Sequence, residues 1–380
     1  MADFSFLHRI FTNYEITKLH INEPFLLNSL IYCTLVVVTL VTLKKKASIF
    51  FDFSQTEQIK GLSILFVIID HFWYHVCNER GTALPLGSYA VTLFLLLSGY
   101  GLMSSKMANG INTRVFFMKR VKKIFIPYWL VTIGIIIADY VLWQRHYPLQ
   151  DLLLTFAGIN ISTELQYFDH SRWFITLLLL NYLIFFFCVK YWSTPSATLI
   201  LLFISLALIL LTHYGLFFLG SRHQLLAFPL GCLLAFINPS KWWGTIGLRH
   251  LATSLIFIAL ATLSIYLCTL MPTNNFYIQK AIIYSYSYIL PFMFCLLCIV
   301  FIALLASLGC TSSFLGLCGY LSFEMYLIHG PLLIKYNPIV GIFDDNFTLL
   351  RLMLWFGITL ILSYLLKSSA SFINNSCIKA

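Results

Sequence analysis

Long apolar stretches separated by short polar ones organise this chain. A membrane crossing needs about 20 mostly apolar residues in succession. Reading for such runs predicts about eleven helices: 25–43, 60–78, 86–104, 124–143, 173–191, 197–213, 224–238, 250–270, 282–306, 313–335 and 347–366. The run at 224–238 is the shortest of them. Connections average about 13 residues, too few to build a separate soluble domain between crossings. The expected fold class is therefore all-α, a polytopic helical membrane protein with about eleven transmembrane helices.

The polar stretches orient the crossings. The first run is followed at once by Lys44, Lys45 and Lys46. Basic connections stay on the cytoplasmic side, so the N-terminus is expected outside. Parity then places 105–123 in the cytoplasm, and this stretch carries Lys106, Arg114, Lys119, Arg120, Lys122 and Lys123. The same count puts the C-terminus inside. Residues 1–24 have mixed charges and no small-residue cleavage site, so they do not read as a removable signal peptide. The largest outside connection, 144–172, contains Glu164, Asp169, His170 and Arg172 around an apolar centre at 152–161. That centre reads as a short re-entrant or interfacial helix.

Composition sharpens the picture. Charged residues make up 10% of the 380, against about 25% in a soluble domain. Hydrophobic types reach 60%, with 35 Phe and 21 Tyr, which excludes disorder and small disulfide scaffolds. The net charge of +10 is spread among the apolar runs, so it reads as basic loops rather than a nucleic-acid surface. Cys33, Cys188, Cys232 and Cys268 lie within apolar runs and read as packing residues, as do Cys295 and Cys298. The histidines lack ligand spacing, so no metal is expected. No internal repeat is visible.

Ionisable side chains at membrane depth default to functional candidates. The second run has the richest set: Lys60, Asp70, His71 and His75. Eleven residues at about 100° each bring His71 to within about 20° of Lys60, so both share one helix face, about 16 Å apart. Asp70 projects about 80° away from that face. In the tenth run Ser322, Tyr326 and His329 fall within about 60° of one another, and Glu324 points to the opposite side. Gly330-Pro331 follows His329 and is a place for local helix distortion.

Lys60-x10-His71 within "IKGLSILFVIIDHFW" resembles the first core helix of the acyltransferase-3 family, bacterial integral membrane acyltransferases. The family has an arginine at the first position; Lys60 keeps its charge without the planar fork. Four further segments resemble the family in the same order: "LFLLLSGYGLM" at 93–103, "FFMKRVKKIFIPYWL" at 116–130, "SRWFITLLLLNYLIFF" at 171–186 and "LSFEMYLIHGPLL" at 321–333. The resemblance implies a ten-helix acyltransferase core at 60–366. Residues 1–59 form an N-terminal extension with one extra crossing, and 367–380 form a short cytoplasmic tail. It is a resemblance to the stand-alone form, without an attached esterase-like domain.

The resemblance further implies an O-acyltransferase of the bacterial inner membrane. Such enzymes commonly move acetyl from cytoplasmic acetyl-coenzyme A to a hydroxyl of a cell-envelope or exported glycan. Acetyl-coenzyme A is then a substrate, with no permanently bound cofactor, and the partners are a glycan or lipid-linked saccharide and the bilayer, not nucleic acid. Lys60, Arg120 and Lys123 are the expected donor-binding cations. His71 is the expected catalytic imidazole, either as general base or as a transient acyl carrier. His75 is a second candidate or a helper. His329 and Glu324 are further catalytic candidates, His329 on the acceptor side and Glu324 as a buried polar partner. Tyr326 and Asp70 are accessory candidates. Trp173, beside Arg172, reads as an interface anchor or a sugar-stacking platform, and Tyr128 and Trp129 as anchors. The competing reading is a multi-pass transporter or lipid-linked sugar flippase, with Asp70, His71, Glu324 and His329 as proton-relay groups.

Overall fold

The computed structural model describes residues 18–46, 51–79, 81, 84–161, 168–216, 222–237, 247–269, 276–336 and 348–379. Glu164 and the first 17 residues of the N-terminal extension lie outside the described residues. Among the described residues, nine helices are long and apolar enough to cross a membrane, or ten if a helix pair bent by 68° is counted as one crossing. The expected run at 224–238 falls on a shorter apolar helix. The chain is an all-α polytopic membrane protein.

Helix α1 (Pro24–Val41) is the first of the crossing-length helices. It is followed by strand β1 (Leu43–Lys45), which pairs antiparallel with β2 (Cys310–Ser312). This two-stranded sheet is absent from the hydropathy reading because three-residue strands carry no periodic signal. It ties α1 to the bundle: Thr42 Oγ1 lies 2.9 Å from Ser312 Oγ, and Ser312 N–H donates to Gln58 Oε1 at 2.8 Å.

The core helices follow. Helix α2 (Phe53–His71) starts at an Asp52 cap, whose carboxylate accepts the Gln55 N–H at 2.8 Å. Past His71 it runs on as a π-helical turn, Phe72–Val76. Beyond that turn Glu79 accepts the Ile21 N–H at 2.7 Å, which holds its carboxyl below the usual carboxylate range. Helix α3 (Leu86–Asn109) and helix α4 (Thr113–Arg120) are separated by only three residues. The basic stretch at 105–123 is thus mostly helical. A π-helical turn, Val121–Phe125, carries α4 into α5 (Ile126–Trp143). Next come α6 (Leu149–Phe156), α7 (Trp173–Tyr191), α8 (Thr194–His213), α9 (Arg222–Ile237) and α10 (Leu248–Thr269). They are followed by α11 (Phe276–Tyr284) and α12 (Leu290–Ser307). The bent pair is α13 (Ser313–Tyr320) and α14 (Ser322–Gly330), and α15 (Thr348–Lys379) closes the chain.

Two crossings bring backbones into contact. Gly61 of α2 lies on the Leu315 carbonyl of α13, and Gly319 of α13 lies on the Glu57 carbonyl. Gly99 of α3 and Gly231 of α9 are seated in the same manner on the Phe228 and Leu96 carbonyls. In a bilayer, helix association rests on such close packing, because lipid offers apolar side chains as good a solvent as another helix. These contacts bury α2 and α3 in the middle of the molecule, while α1 and α10 stand at the rim with 11% and 6% of their crossing windows buried. Helix α2, the carrier of the polar face, is thereby fixed from several sides.

Candidate active site

Toward the start of α2, Lys60 lines a cavity of about 430 Å³ together with Arg120 and Lys123. The three expected donor-binding cations are thus side by side. The cavity adds Lys106 and Lys119, which the sequence reading used only for topology. Lys60 pairs with Glu57 at 2.9 Å. The Arg120 guanidinium lies 3.6 Å from the Phe116 ring centroid and 5.1 Å from that of Tyr182, and its Nη1 donates to the Phe116 carbonyl at 2.8 Å. Two aromatic neighbours and one carbonyl hold the planar group while the pocket stays open beside it. At least five cations around one cavity make it a site for a polyanion.

His71 does not line that cavity. The α2 face between it and Lys60 is filled by Ile64 and Val67, both buried. His71 instead meets His329: its Nδ1 lies 2.9 Å from His329 Nε2, with ring centroids 4.9 Å apart and planes inclined by 25°. His329 is completely buried. Its Nδ1 is 2.7 Å from the Tyr326 carbonyl and 3.2 Å from the Met325 carbonyl. Carbonyl oxygens only accept, so Nδ1 of His329 carries the proton. In the neutral ring Nε2 is then the acceptor, and His71 Nδ1–H donates to it. His71 Nε2 is left as the basic nitrogen. Two residues 258 positions apart settle each other's tautomers.

The bend between α13 and α14 is what delivers His329. The break falls at Leu321, between the two helices, and Gly330-Pro331 leads into a π-helical turn, Pro331–Lys335. His75 stacks edge-on against His71, with centroids 5.3 Å apart. It also lines a second cavity of about 310 Å³ with Lys18, Tyr74 and Asn78. Glu324 points away from the histidines, as its helical position predicts, and pairs with Lys367 of α15 at 3.1 Å. Asp70 packs against Gly87 in the first turn of α3, where a helix N-terminus favours negative charge. Trp173 is half-buried, edge-on to Phe174.

Arg172 is not an interface anchor. It is 1% exposed, with its guanidinium 4.8 Å from the ring centroids of both Tyr128 and Phe168. Nη1 donates to Thr132 Oγ1 at 2.8 Å. Asp169 lies beside it, with Oδ2 3.7 Å from Arg172 Nε. Asp169 Oδ1 accepts the Ser171 N–H at 2.9 Å and the Ser171 hydroxyl at 2.7 Å. The Tyr326 hydroxyl donates to the Ser171 carbonyl. Sequence reading placed Asp169 and Arg172 in an outer connection because they precede the apolar run. Their burial follows from α6, whose last turn is docked on α5 by Tyr128 and Trp129, donating to the Thr155 and Phe156 carbonyls at 2.8 Å each. Tyr128, fully buried, is thus a helix-docking residue rather than a surface anchor, and half-buried Trp129 docks the same helix. Only the acidic and basic pair three residues apart, Asp169 and Arg172, hinted at this.

Comparison with known proteins adds one match. A family model described as an acyltransferase domain matches residues 54–368. No match was found among curated proteins, and none among solved structures.

Proposed function

The chain belongs to this acyltransferase family, and from that premise we propose that it transfers acetyl from acetyl-coenzyme A to a hydroxyl of a cell-envelope or exported glycan. The chain is a membrane acyltransferase, since the matched model covers its bundle. The donor and acceptor are our reading. The polycationic cavity suits the phosphates of coenzyme A, with Lys60, Arg120 and Lys123 as contacts. The cavity lies at the basic end of the bundle, which the charge rule assigns to the cytoplasm of a bacterial inner membrane. The N-terminus is then outside and the C-terminus inside. His71 lies about 16 Å further along α2, a distance that the extended arm of the donor has to span.

The single observation that carries the chemistry is the hydrogen bond from His71 Nδ1 to His329 Nε2. On that bond we read Nε2 of His71 as the base. In the proposed step this nitrogen takes the proton of the acceptor hydroxyl while the oxygen attacks the thioester carbonyl. The carbon–sulfur bond then breaks, and the departing thiolate recovers the proton from His71. Protons and electrons balance without a metal or redox partner. The same nitrogen could attack first and carry the acetyl group transiently, and the same residues serve both routes.

The test uses the protein in nanodiscs with acetyl-coenzyme A, reading release of the thiol. His71→Ala should lose about 10²- to 10⁴-fold in rate, the usual worth of a general base, with unchanged assembly. Near-normal turnover would move the chemistry elsewhere.

A further inference from the structure

The His71–His329 pair must hold a positive charge each time His71 takes a proton. A buried cation without a counter-charge costs several kcal/mol. His329 is fully buried, so a balancing group is needed near it. The charged and titratable groups on the elements around α14 are few. Helix α2 and its π turn bring the paired Glu57 and Lys60, Asp70 packed toward Gly87 of α3, and His71 and His75. On α14 itself, Glu324 is committed to Lys367 of α15. Tyr326 donates its hydroxyl to Ser171. Lys335, in the turn after α14, is committed to Asp139 of α5. The 3-10 turn His170–Arg172, with its Asp169 cap, brings Asp169 and Arg172.

Asp169 differs from the other carboxylates. Its Oδ1 lies against Gly330, the residue after His329; a Cβ added there would sit 2.5 Å from that oxygen. Its Oδ2 is buried and has no hydrogen-bond partner. Arg172, itself 1% exposed, keeps two nitrogens, Nε and Nη2, without hydrogen-bond partners on the side where Asp169 lies 3.7 Å away. Buried polar atoms left unsatisfied in this way are rare and call for a reason. Asp169 also anchors Ser171, whose carbonyl receives Tyr326, and the Tyr326 carbonyl in turn receives His329 Nδ1–H. One carboxylate therefore supports the position of His329 and supplies negative charge one residue away.

We propose that Asp169 is a positioning residue for the His71–His329 pair, holding His329 in place and balancing the charge that the pair acquires when His71 takes the acceptor's proton, with Arg172 lying beside it. This rests on the reading of His71 as the base. It predicts a division of labour. Asp169 touches no donor group, so its loss affects turnover and proton affinity, not donor saturation. Gly330 serves the same contact, since any side chain there pushes the carboxylate away.

The test compares Asp169→Asn with the parent protein in nanodiscs. The amide keeps an oxygen for Ser171 and removes the charge. Thiol release from acetyl-coenzyme A should fall about 10- to 100-fold in kcat, with the donor KM within about twofold. Loss of an opposing charge disfavours the imidazolium, so the acid limb of the rate profile should move to lower pH by about one unit. The second measurement needs no turnover. Diethyl pyrocarbonate attacks the neutral imidazole, and its pH-dependent modification of His71, read by mass spectrometry, should shift in the same direction in Asp169→Asn. An unshifted His71 modification profile, or a kcat equal to the parent's, overturns the proposal. So does a kcat loss matched by an equal loss of correctly assembled protein. If His71→Ala retains transfer, the base assignment itself fails. If His71→Ala is inactive while Asp169→Asn is normal, only the present inference fails.

Discussion

At the residue scale, the structure separates groups that share a helix face. Lys60 and His71 are in register on α2, yet Lys60 belongs to the cationic cavity and His71 to the histidine pair. On the proposed reading, the donor's charged end and its reactive end would meet different side chains. Lys60 presents a point charge where the family carries a planar fork. If Lys60 holds a phosphate, Lys60→Arg should retain part of the activity, because the charge persists. Lys60→Met should raise the acetyl-coenzyme A concentration for half-saturation about tenfold, the effect of about 1.4 kcal/mol. Saturation curves for the three proteins provide the check. An unchanged curve for Lys60→Met would reduce Lys60 to a partner of Glu57. The Asp169 and Arg172 pair makes the opposite point, since two residues that look like surface charges are among the least exposed side chains of the molecule.

At the scale of elements, the site is assembled by three devices: glycine crossings, a bent helix pair and a docked short helix. The Gly231 crossing allows α9 to lie on the Leu96 carbonyl of α3. A methyl group there has nowhere to go except by moving a backbone, so Gly231→Ala should cost about 1–3 kcal/mol. A lowered midpoint for thermal unfolding in detergent, with donor saturation unchanged in the protein that remains folded, is the expected result. The Glu324–Lys367 pair joins α14 to α15, with Glu324 buried and Lys367 half-buried. Its place on the far side of α14 from His329 makes it a strut for the bend. The bend itself is needed because a straight helix through 313–335 would carry His329 along a different line relative to α2.

For the whole molecule, the basic cavity and the histidine pair occupy successive levels of one bundle, both reached along α2. The arrangement suits a reaction whose anionic donor and whose acceptor come from opposite sides of a bilayer. Orientation is then part of the mechanism. Single cysteines introduced at Lys46 and Asn112 should react with an impermeant maleimide only after the cytoplasmic side is opened. A cysteine at Asn78 should react from outside in intact cells. Labelling of the Asn112 position from outside would place the cationic cavity away from the cytoplasmic donor. Salt gives a second check at this scale. Arg120→Ala and Lys123→Ala should weaken donor saturation more steeply at low ionic strength, because partly exposed cationic contacts are screened by salt.

Much of this was legible in the residue order. Apolar runs of crossing length follow from the thickness of a bilayer, so α1, α2, α3, α7, α8, α10, α12 and α15 sit where hydropathy puts them. The Lys60–His71 face follows from helix geometry, and the outward turn of Glu324 from the same arithmetic. Contacts between distant segments were not legible. The pairing of His71 with His329, the burial of Arg172, the β1–β2 pairing and the 68° bend all depend on which helices lie together. Hydropathy is uniform around most of these helices, so no amphipathic stripe in the sequence says which face meets which neighbour. In a lipid solvent that choice is made by close backbone approach and by polar groups finding partners across helices. Local order therefore determined the crossings and their polar faces, and tertiary packing alone decided which polar faces meet.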